Sequence, residues 1–128
     1  MTLVGVGIDV ASLTRIEGLL RRYGGSFENR WFDPAELPQQ GSTSTNLAKS
    51  FAVKEAGWKA LPHDATGPLP WRAIVTHPGT AAHQMAVELR GAVAAEAASH
   101  GVTAITANVT VHGDLVVAVA MVEGVAVR

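Results

Sequence analysis

The decapeptide Phe51-Ala52-Val53-Lys54-Glu55-Ala56-Gly57-Trp58-Lys59-Ala60 contains the most informative pattern in the chain. Starting just before it, large apolar residues and one carboxylate recur every three or four positions, at Leu47, Phe51, Glu55 and Trp58. This spacing places the four side chains on one side of a helix. A Ser/Thr cluster precedes the segment and a proline follows it. Both are typical helix boundaries, so we predict a central helix over residues 46–61.

Glu55 is the candidate functional residue of this helix because its carboxylate shares a stripe with large apolar side chains. Burying a carboxylate is costly unless it is paired, hydrogen-bonded or bound to a metal. The pattern leaves two interpretations open: a structural glutamate, satisfied locally or at the edge of the stripe, or a ligand in a functional site. Lys59 follows by four residues, a spacing that by itself indicates a surface ion pair.

The N-terminal segment predicts a strand that ends at a second carboxylate. Residues 3–8 are rich in β-branched side chains, and Gly5 and Gly7 allow another backbone to approach closely. Asp9 follows, where a carboxylate is either a ligand, a helix cap or a solvated loop residue. With Glu55 it makes two hard oxygen ligands, the number that Mg²⁺ bound to a phosphate often takes from a protein.

A first helix is predicted directly after this strand. Ser12 is a suitable N-cap, apolar residues recur at helical spacing over residues 13–23, and Gly24-Gly25 ends the pattern. Arg15 and Arg22 are seven residues apart and lie on a side away from the apolar stripe. Taken alone, two such arginines are typical of a solvated helix face.

The rest of the chain mixes loops, strands and helices, which indicates an α+β fold. Loops are predicted over 33–45 and 62–70, a strand over 71–76, a turn at Pro78-Gly79, a helix over 81–99, and strands over 102–111 and 115–122. The helix over 81–99 rests on Met85, Leu89 and Val93, which recur every four residues in an alanine-rich stretch. The last two strands flank His112-Gly113-Asp114, a hairpin pattern.

His112 is the third candidate residue. In an extended segment, one face of the first hairpin strand is polar and consists of Thr106, Asn108, Thr110 and His112. Two interpretations stay open: a solvent-facing strand with a histidine at its turn, or a strand that contacts a ligand.

Composition sets the broad class. The 128 residues are 48% hydrophobic and 16% charged, with a net charge of −1 and no cysteine. We expect one packed domain over residues 1–128, without disulfides, thiolate metal sites or cysteine nucleophiles. The charge balance argues against a nucleic-acid partner. The longest apolar run, residues 115–122, is far shorter than a membrane span, and no secretory signal is visible, so we expect a cytoplasmic protein with no membrane partner.

Read in chain order, these segments resemble the holo-acyl-carrier-protein synthases, the small 4′-phosphopantetheinyl transferases. The most specific match is the decapeptide 51–60, which is similar to the family's Phe-Ala-x-Lys-Glu-Ala-x-x-Lys-Ala. Further matches are the strand Val4–Val10 with its aspartate, the basic helix at Arg15-Ile16-Glu17, Phe32-Asp33-Pro34-Ala35-Glu36 against Phe-Thr-Pro-Ala-Glu, Trp71 with Ile74-Val75, and Leu89-Arg90-Gly91-Ala92.

The resemblance implies a fold in which an antiparallel sheet packs with a long central helix. It also implies the reaction that the family catalyses. That reaction is transfer of 4′-phosphopantetheine from coenzyme A to a serine of an apo acyl carrier protein, with release of 3′,5′-ADP. It implies that Asp9 and Glu55 hold Mg²⁺ and that Glu55 and Lys59 are catalytic. Lys59 would meet the phosphates or assist removal of the serine proton.

The resemblance also implies contacts outside this cluster. His112 would contact the nucleotide, which in the family lies between the subunits of a homotrimer. Arg15 and Arg22 would meet the acidic carrier protein. Nothing in the sequence favours a fatty-acid carrier over a polyketide carrier.

The chain departs from the family's pattern at three places. Where the family usually has Ser-Leu-Ser-His, this chain has Val109-Thr110-Val111-His112. Ser50, preceded by Lys49, replaces the family's arginine before the Phe-Ala pair. Ser12 replaces a glutamate that often follows the first aspartate by three residues. These changes keep a second hypothesis open, a catalytically weakened member that binds a carrier protein or coenzyme A. A third is an unrelated small α+β protein.

Overall fold

The computed structural model of the chain describes residues 2–37, 43–63 and 69–125. In these ranges five strands form one antiparallel sheet in the order β1-β5-β4-β3-β2. The strands are β1 (Thr2–Ser12), β2 (Ile74–Pro78), β3 (Gln84–Leu89), β4 (Val102–His112) and β5 (Leu115–Gly124). The helices are α1 (Leu13–Tyr23), α2 (Gly25–Trp31), α3 (Ser44–Ala60) and α4 (Gly91–Ser99), with a 3₁₀ turn at Trp71–Ala73. The predicted α+β fold with an antiparallel sheet is therefore confirmed.

The central helix α3 lies across the sheet and packs mainly against β1 and β5. It begins after Thr43, whose hydroxyl accepts a hydrogen bond from the Asn46 amide. Leu47 and Phe51 are buried as the stripe predicts, and α1 covers part of the helix from the other side. The predicted central helix is confirmed to within two residues. No helix in the described ranges is long and apolar enough to cross a membrane.

The C-terminal hairpin also follows the sequence pattern. In the pairing of β4 with β5, Val102 lies opposite Gly124 at one end and His112 lies opposite Leu115 at the other. The turn contains Gly113, with a φ of 60° that favours glycine. Apolar side chains of both strands alternate into the core, with Val109 and Ala118 as one buried pair. The hairpin places the polar face of β4 on the opposite side of the sheet from α3.

The helix predicted over 81–99 is wrong in its first half. Residues 84–89 form β3, which pairs with both β2 and β4, and only Gly91–Ser99 is helical. Met85 and Leu89 are four apart, a spacing that strand alternation also produces, with Val87 between them on the same face. Pairing on both sides of the strand outweighs the helix propensity of the alanine-rich stretch.

Three smaller features also differ from prediction. β1 runs on to Ser12, so Asp9 lies within the strand and faces inward rather than ending it. A second helix, α2, follows Gly24 directly. The strand predicted over 71–76 starts at Ile74, after the 3₁₀ turn. In the loops predicted over 33–45 and 62–70, residues 38–42 and 64–68 lie outside the described ranges.

Candidate active site

Two glycines in β1 set the distance between the first strand and the central helix. A Cβ at Gly7 would overlap the carbonyl oxygen of Ala56, and one at Gly5 would overlap that of Ala60. Only a strand without side chains at these positions can lie so close to α3. The close approach predicted from the two glycines is confirmed, and it brings Asp9, the next inward residue of β1, onto the helix.

Asp9 forms an ion pair that uses only half of its carboxylate. Its Oδ1 accepts a hydrogen bond of 2.9 Å from Lys59 Nζ, which also donates to the Ile8 carbonyl oxygen at 3.2 Å. The Asp9 side chain is 7% exposed and that of Lys59 is 55% exposed. Asp9 Oδ2 is buried and, while Glu55 is ionised, accepts no hydrogen bond from the described residues. Such an oxygen is costly to bury and marks a place where a ligand can bind.

Glu55 lies beside Asp9 and shares its environment. Partial burial, a hydrogen bond that its protonated form makes to Asp9, and the negative charge of Asp9 raise the pKa of Glu55 to about 7. The positive charges of Lys59 and Arg15 act in the opposite direction. The apolar stripe left open a structural glutamate or a ligand, and the structure places Glu55, partly buried, next to the negative charge of Asp9.

Asp9 and Glu55, which we call the acidic pair, suit a divalent cation. A cation would pair Asp9 Oδ2 and remove the repulsion between the two carboxylates. No cluster of three His, Cys, Asp or Glu side chains with metal-binding geometry occurs in the described ranges. Two carboxylates match Mg²⁺, which keeps several waters and completes its shell with substrate phosphates. The donor set therefore fits the ion expected from the sequence.

Arg15 connects the acidic pair to a neighbouring cavity. The cavity, of about 400 Å³, lies between α1, α2 and α3. Its lining is largely apolar and includes two arginines. The lining residues are Arg15, Leu19, Tyr23, Ser26, Phe27, Arg30, Trp31 and Phe51. Arg22 is exposed with its guanidinium 5.6 Å from the centre of the Tyr23 ring and does not line the cavity. The sequence did not anticipate Arg30, which comes from the unpredicted helix α2.

His112 does not join the acidic pair within one chain. Asp9 pairs with Ala118 and Ala118 with Val109, so His112 lies three residues further along β4 and on the opposite face of the sheet. It is exposed, and its Nε2 is 2.9 Å from Thr110 Oγ1. The predicted polar face of β4 is present, but the structure does not bring His112 together with the acidic pair.

A second lysine–carboxylate pair on α3, which the sequence did not single out as a pair, is wholly buried. Lys54 Nζ lies 2.7 Å from Glu36 Oε1, and both side chains are 0% exposed. Lys54 also donates to the carbonyl oxygens of Trp71 and Ile74. Burial lowers the pKa of Lys54, and Glu36 opposes that shift. This buried ion pair ties α3 to the 32–36 segment and to β2.

Comparison with known proteins identifies the family. The family model described as the 4′-phosphopantetheinyl transferase superfamily matches residues 5–120. The chain belongs to this superfamily. The family and the transferase class expected from the sequence are confirmed.

Relatives named as synthases match nearly the whole chain or about half of it. A holo-[acyl-carrier-protein] synthase of Desulfovibrio desulfuricans is 32% identical over 94% of this chain and 98% of its own length. One from Neisseria meningitidis serogroup A is 41% identical over 73 residues, which are 55% of this chain and 58% of that protein. The match thus spans a little over half the length of the Neisseria relative.

Solved structures of the superfamily share the fold. The crystal structure of the Neisseria meningitidis synthase superposes with a TM-score of 0.82 at 29% identity, covering 95% of this chain and 99% of that one. A Chronobacterium ammoniagenes synthase in complex with coenzyme A has a TM-score of 0.77 at 26% identity, covering 94% and 97%. The transferase fold therefore extends over nearly the whole chain.

Proposed function

We propose that this transferase moves 4′-phosphopantetheine from coenzyme A to a serine of an apo acyl carrier protein and releases 3′,5′-ADP. The acidic pair supports this most strongly, because its unpartnered buried oxygen and the adjacent Lys59 form a site for a cation and a pyrophosphate. The relatives named as holo-[acyl-carrier-protein] synthases and the complex of one with coenzyme A support the two substrates. The protein would work in the cytoplasm.

In this proposal the carrier serine oxygen attacks the phosphorus that bears pantetheine. The bond from that phosphorus to the bridging oxygen breaks, and 3′,5′-ADP departs with the electron pair. The serine proton passes to a water beside the acidic pair, because in this proposal Glu55 is occupied by the cation. Lys59, exposed over half of its side chain, turns to the phosphate oxygens and offsets their charge.

Asp9 and Glu55 would hold the Mg²⁺ ion. When bound, Mg²⁺ offsets the charge that builds up on the pyrophosphate oxygens as the leaving group departs. Asp9 would contribute Oδ2, while Lys59 remains close through Oδ1. Stabilisation of the folded protein by Mg²⁺ in a thermal melt, lost in Asp9→Asn, would support these ligands without reference to activity.

The carrier protein would dock on α1 beside the cavity. Arg15 lines the cavity and lies within electrostatic range of Glu55, so an acidic partner held there has its serine near the acidic pair. Arg22 extends the positive surface two turns further along α1. Leu19, Phe27 and Phe51 offer apolar contact inside the cavity. Charge would speed encounter, and apolar contact would hold the complex.

Three copies of the chain would form a homotrimer through the outer face of β1. Val4, Val6, Ile8 and Val10 alternate outward, and each is 43–57% exposed. A row of four exposed β-branched side chains is unusual on a monomer and is typical of a subunit interface. This face continues into the polar face of β4, so trimer formation would bring His112 of one copy toward the acidic pair of another. Light scattering would show a monomer if this part of the proposal is wrong.

Intact-protein mass spectrometry of an apo carrier tests the central proposal. The carrier is incubated with the protein, coenzyme A and Mg²⁺, and a carrier with its serine changed to alanine is the control. A mass increase of one phosphopantetheinyl group on the unaltered carrier alone is expected. No increase, together with retained coenzyme A binding, would favour the second candidate, a binding module, for which the departure at Val109–Val111 is the motivation.

A further inference from the structure

The turn between β4 and β5 contacts the start of α1 through one side chain. Asp114 Oδ1 accepts hydrogen bonds from the Thr14 amide at 2.8 Å and from Thr14 Oγ1 at 2.6 Å. Its Oδ2 accepts one from Ser12 Oγ at 2.7 Å, and its carbonyl oxygen accepts one from the Leu13 amide at 2.8 Å. Four hydrogen bonds thus join residues that are about 100 positions apart in the sequence.

The contact reaches Arg15 through the helix cap. Ser12 Oγ donates to Asp114 and at the same time accepts from the Arg15 amide at 3.2 Å, so Asp114 fixes the orientation of the capping hydroxyl. The Thr14 amide is one of the donors that have no partner within the helix. These hydrogen bonds also keep the pKa of Asp114 below its ordinary value, as expected for an ionised cap.

We propose that Asp114 is a positioning residue for carrier docking. By holding the first turn of α1, it keeps Arg15 at the wall of the cavity, facing the docked carrier and the acidic pair. The inference rests on the proposed function, because it assumes that the carrier binds α1. Asp114 acts through Arg15 and touches neither coenzyme A nor the reacting atoms.

A purely structural cap has a different signature. It would lower the stability of the protein and leave both Michaelis constants unchanged, or raise both together. If Asp114 positions Arg15, its loss raises the Michaelis constant for the carrier alone, because in this proposal Arg15 contacts the carrier and not coenzyme A. Loss of a helix cap typically weakens a helix end enough to change an equilibrium about fivefold.

Steady-state kinetics of Asp114→Ala, Asp114→Asn, Thr14→Val and Arg15→Glu test the inference, with carrier and coenzyme A varied separately. For Asp114→Ala we expect the carrier Michaelis constant to rise about fivefold, with kcat and the coenzyme A constant unchanged. Asp114→Asn keeps an acceptor oxygen for Thr14 and should recover part of the loss. Thr14→Val should add little once Asp114 is alanine, because both changes remove the same contact.

The outcomes separate this inference from the docking proposal. If Arg15→Glu raises the carrier constant but Asp114→Ala does not, docking on α1 stands and the positioning role is wrong. If Arg15→Glu has no effect, the docking surface and the positioning role are both wrong. If Asp114→Ala raises the Michaelis constants for carrier and coenzyme A equally, Asp114 is only a structural cap and the positioning role is wrong.

Discussion

Two lysine–carboxylate pairs on the same helix have opposite environments. Lys54 and Glu36 are completely buried and 2.7 Å apart, whereas Lys59 is more than half exposed and lies 2.9 Å from Asp9. Glu36 accepts from Lys54, Ser50 and Thr76 and from the backbone of Asp33. Asp9 leaves one buried oxygen without a partner.

The difference is consistent with a structural role for Lys54 and Glu36 and with the ligand-binding role proposed for Asp9, Glu55 and Lys59. The buried ion pair has a protein partner for each of its charged groups, so it has no capacity left for a substrate. In the acidic pair, burial of Glu55 and its closeness to Asp9 raise the pKa of Glu55 to about 7, although Lys59 and Arg15 act against the shift. An incomplete set of partners next to an exposed lysine is what supports the proposed functional site.

The largest expected effect concerns the acidic pair. Asp9→Asn or Glu55→Gln should lower kcat about 10³-fold, because each removes one of the two charges that attract the cation. The fold should persist, since neither carboxylate completes a core network. Turnover and circular dichroism are measured together, with Glu96→Gln on α4 as the matched control. An active Glu55→Gln enzyme would contradict the assignment.

The buried ion pair should respond in the opposite way. Lys54→Met leaves Glu36 charged and buried without its cation, which should cost about 3–5 kcal/mol in the free energy of unfolding. Lys59→Met, the matched change at the Lys59–Asp9 ion pair, should cost clearly less stability, because Lys59 itself is 55% exposed, and should lower turnover. Urea denaturation of both variants checks the contrast. Equal losses of stability in the two variants would remove the distinction between the pairs.

The pH dependence of stability should sharpen the comparison. Glu55 has a pKa of about 7 in the folded protein against an ordinary value of 4.5, so the folded state holds its proton more tightly. This contribution to stability is complete below about pH 4.5 and is lost as the pH rises through about 7. In a chelator, the melting temperature of the wild type should therefore fall more between pH 5 and pH 8 than that of Glu55→Gln. Identical pH profiles for the two proteins would contradict the raised pKa.

The smallest expected effect belongs to the arginines of α1. Charge reversal at Arg15 and Arg22 should raise the carrier Michaelis constant only several-fold at low salt, because exposed pairs contribute about 0–1 kcal/mol each. High salt should reduce the difference from the parent, and coenzyme A kinetics should change little. The single variant Arg22→Glu is the control, because Arg15 also lowers the pKa of Glu55 whereas Arg22 does not act on that carboxyl. Unchanged carrier kinetics at both salt concentrations would place the docking surface elsewhere.

The acidic pair was predictable because local patterns encode both members. The apolar stripe singled out Glu55, and the Gly5–Gly7 alternation explains how Asp9 comes to lie on α3. The resemblance supplied their common role. The boundaries of β3 were not predictable from spacing alone, because Met85 and Leu89 satisfy both a helix and a strand.

Contacts between distant segments were beyond the sequence patterns. Glu36 and Lys54 each sit in a matched motif, yet their pairing depends on how the 32–36 segment folds over α3. Asp114 was assigned only to a turn, and its contact with Thr14 appears when β5 brings the turn back beside β1. His112 was correctly placed on an exposed polar face of β4, and its proposed contact with the nucleotide stays a prediction.

Binding of Mn²⁺, a spectroscopic substitute for Mg²⁺, tests the central claim most directly. Electron paramagnetic resonance of free Mn²⁺ is recorded during titration with protein in the presence of coenzyme A. The parent protein and Lys59→Met should bind one ion per chain, whereas Asp9→Asn and Glu55→Gln, folded by circular dichroism, should bind weakly or not at all. Mn²⁺ binding by both carboxylate variants with the affinity of the parent would contradict the claim that Asp9 and Glu55 share one cation.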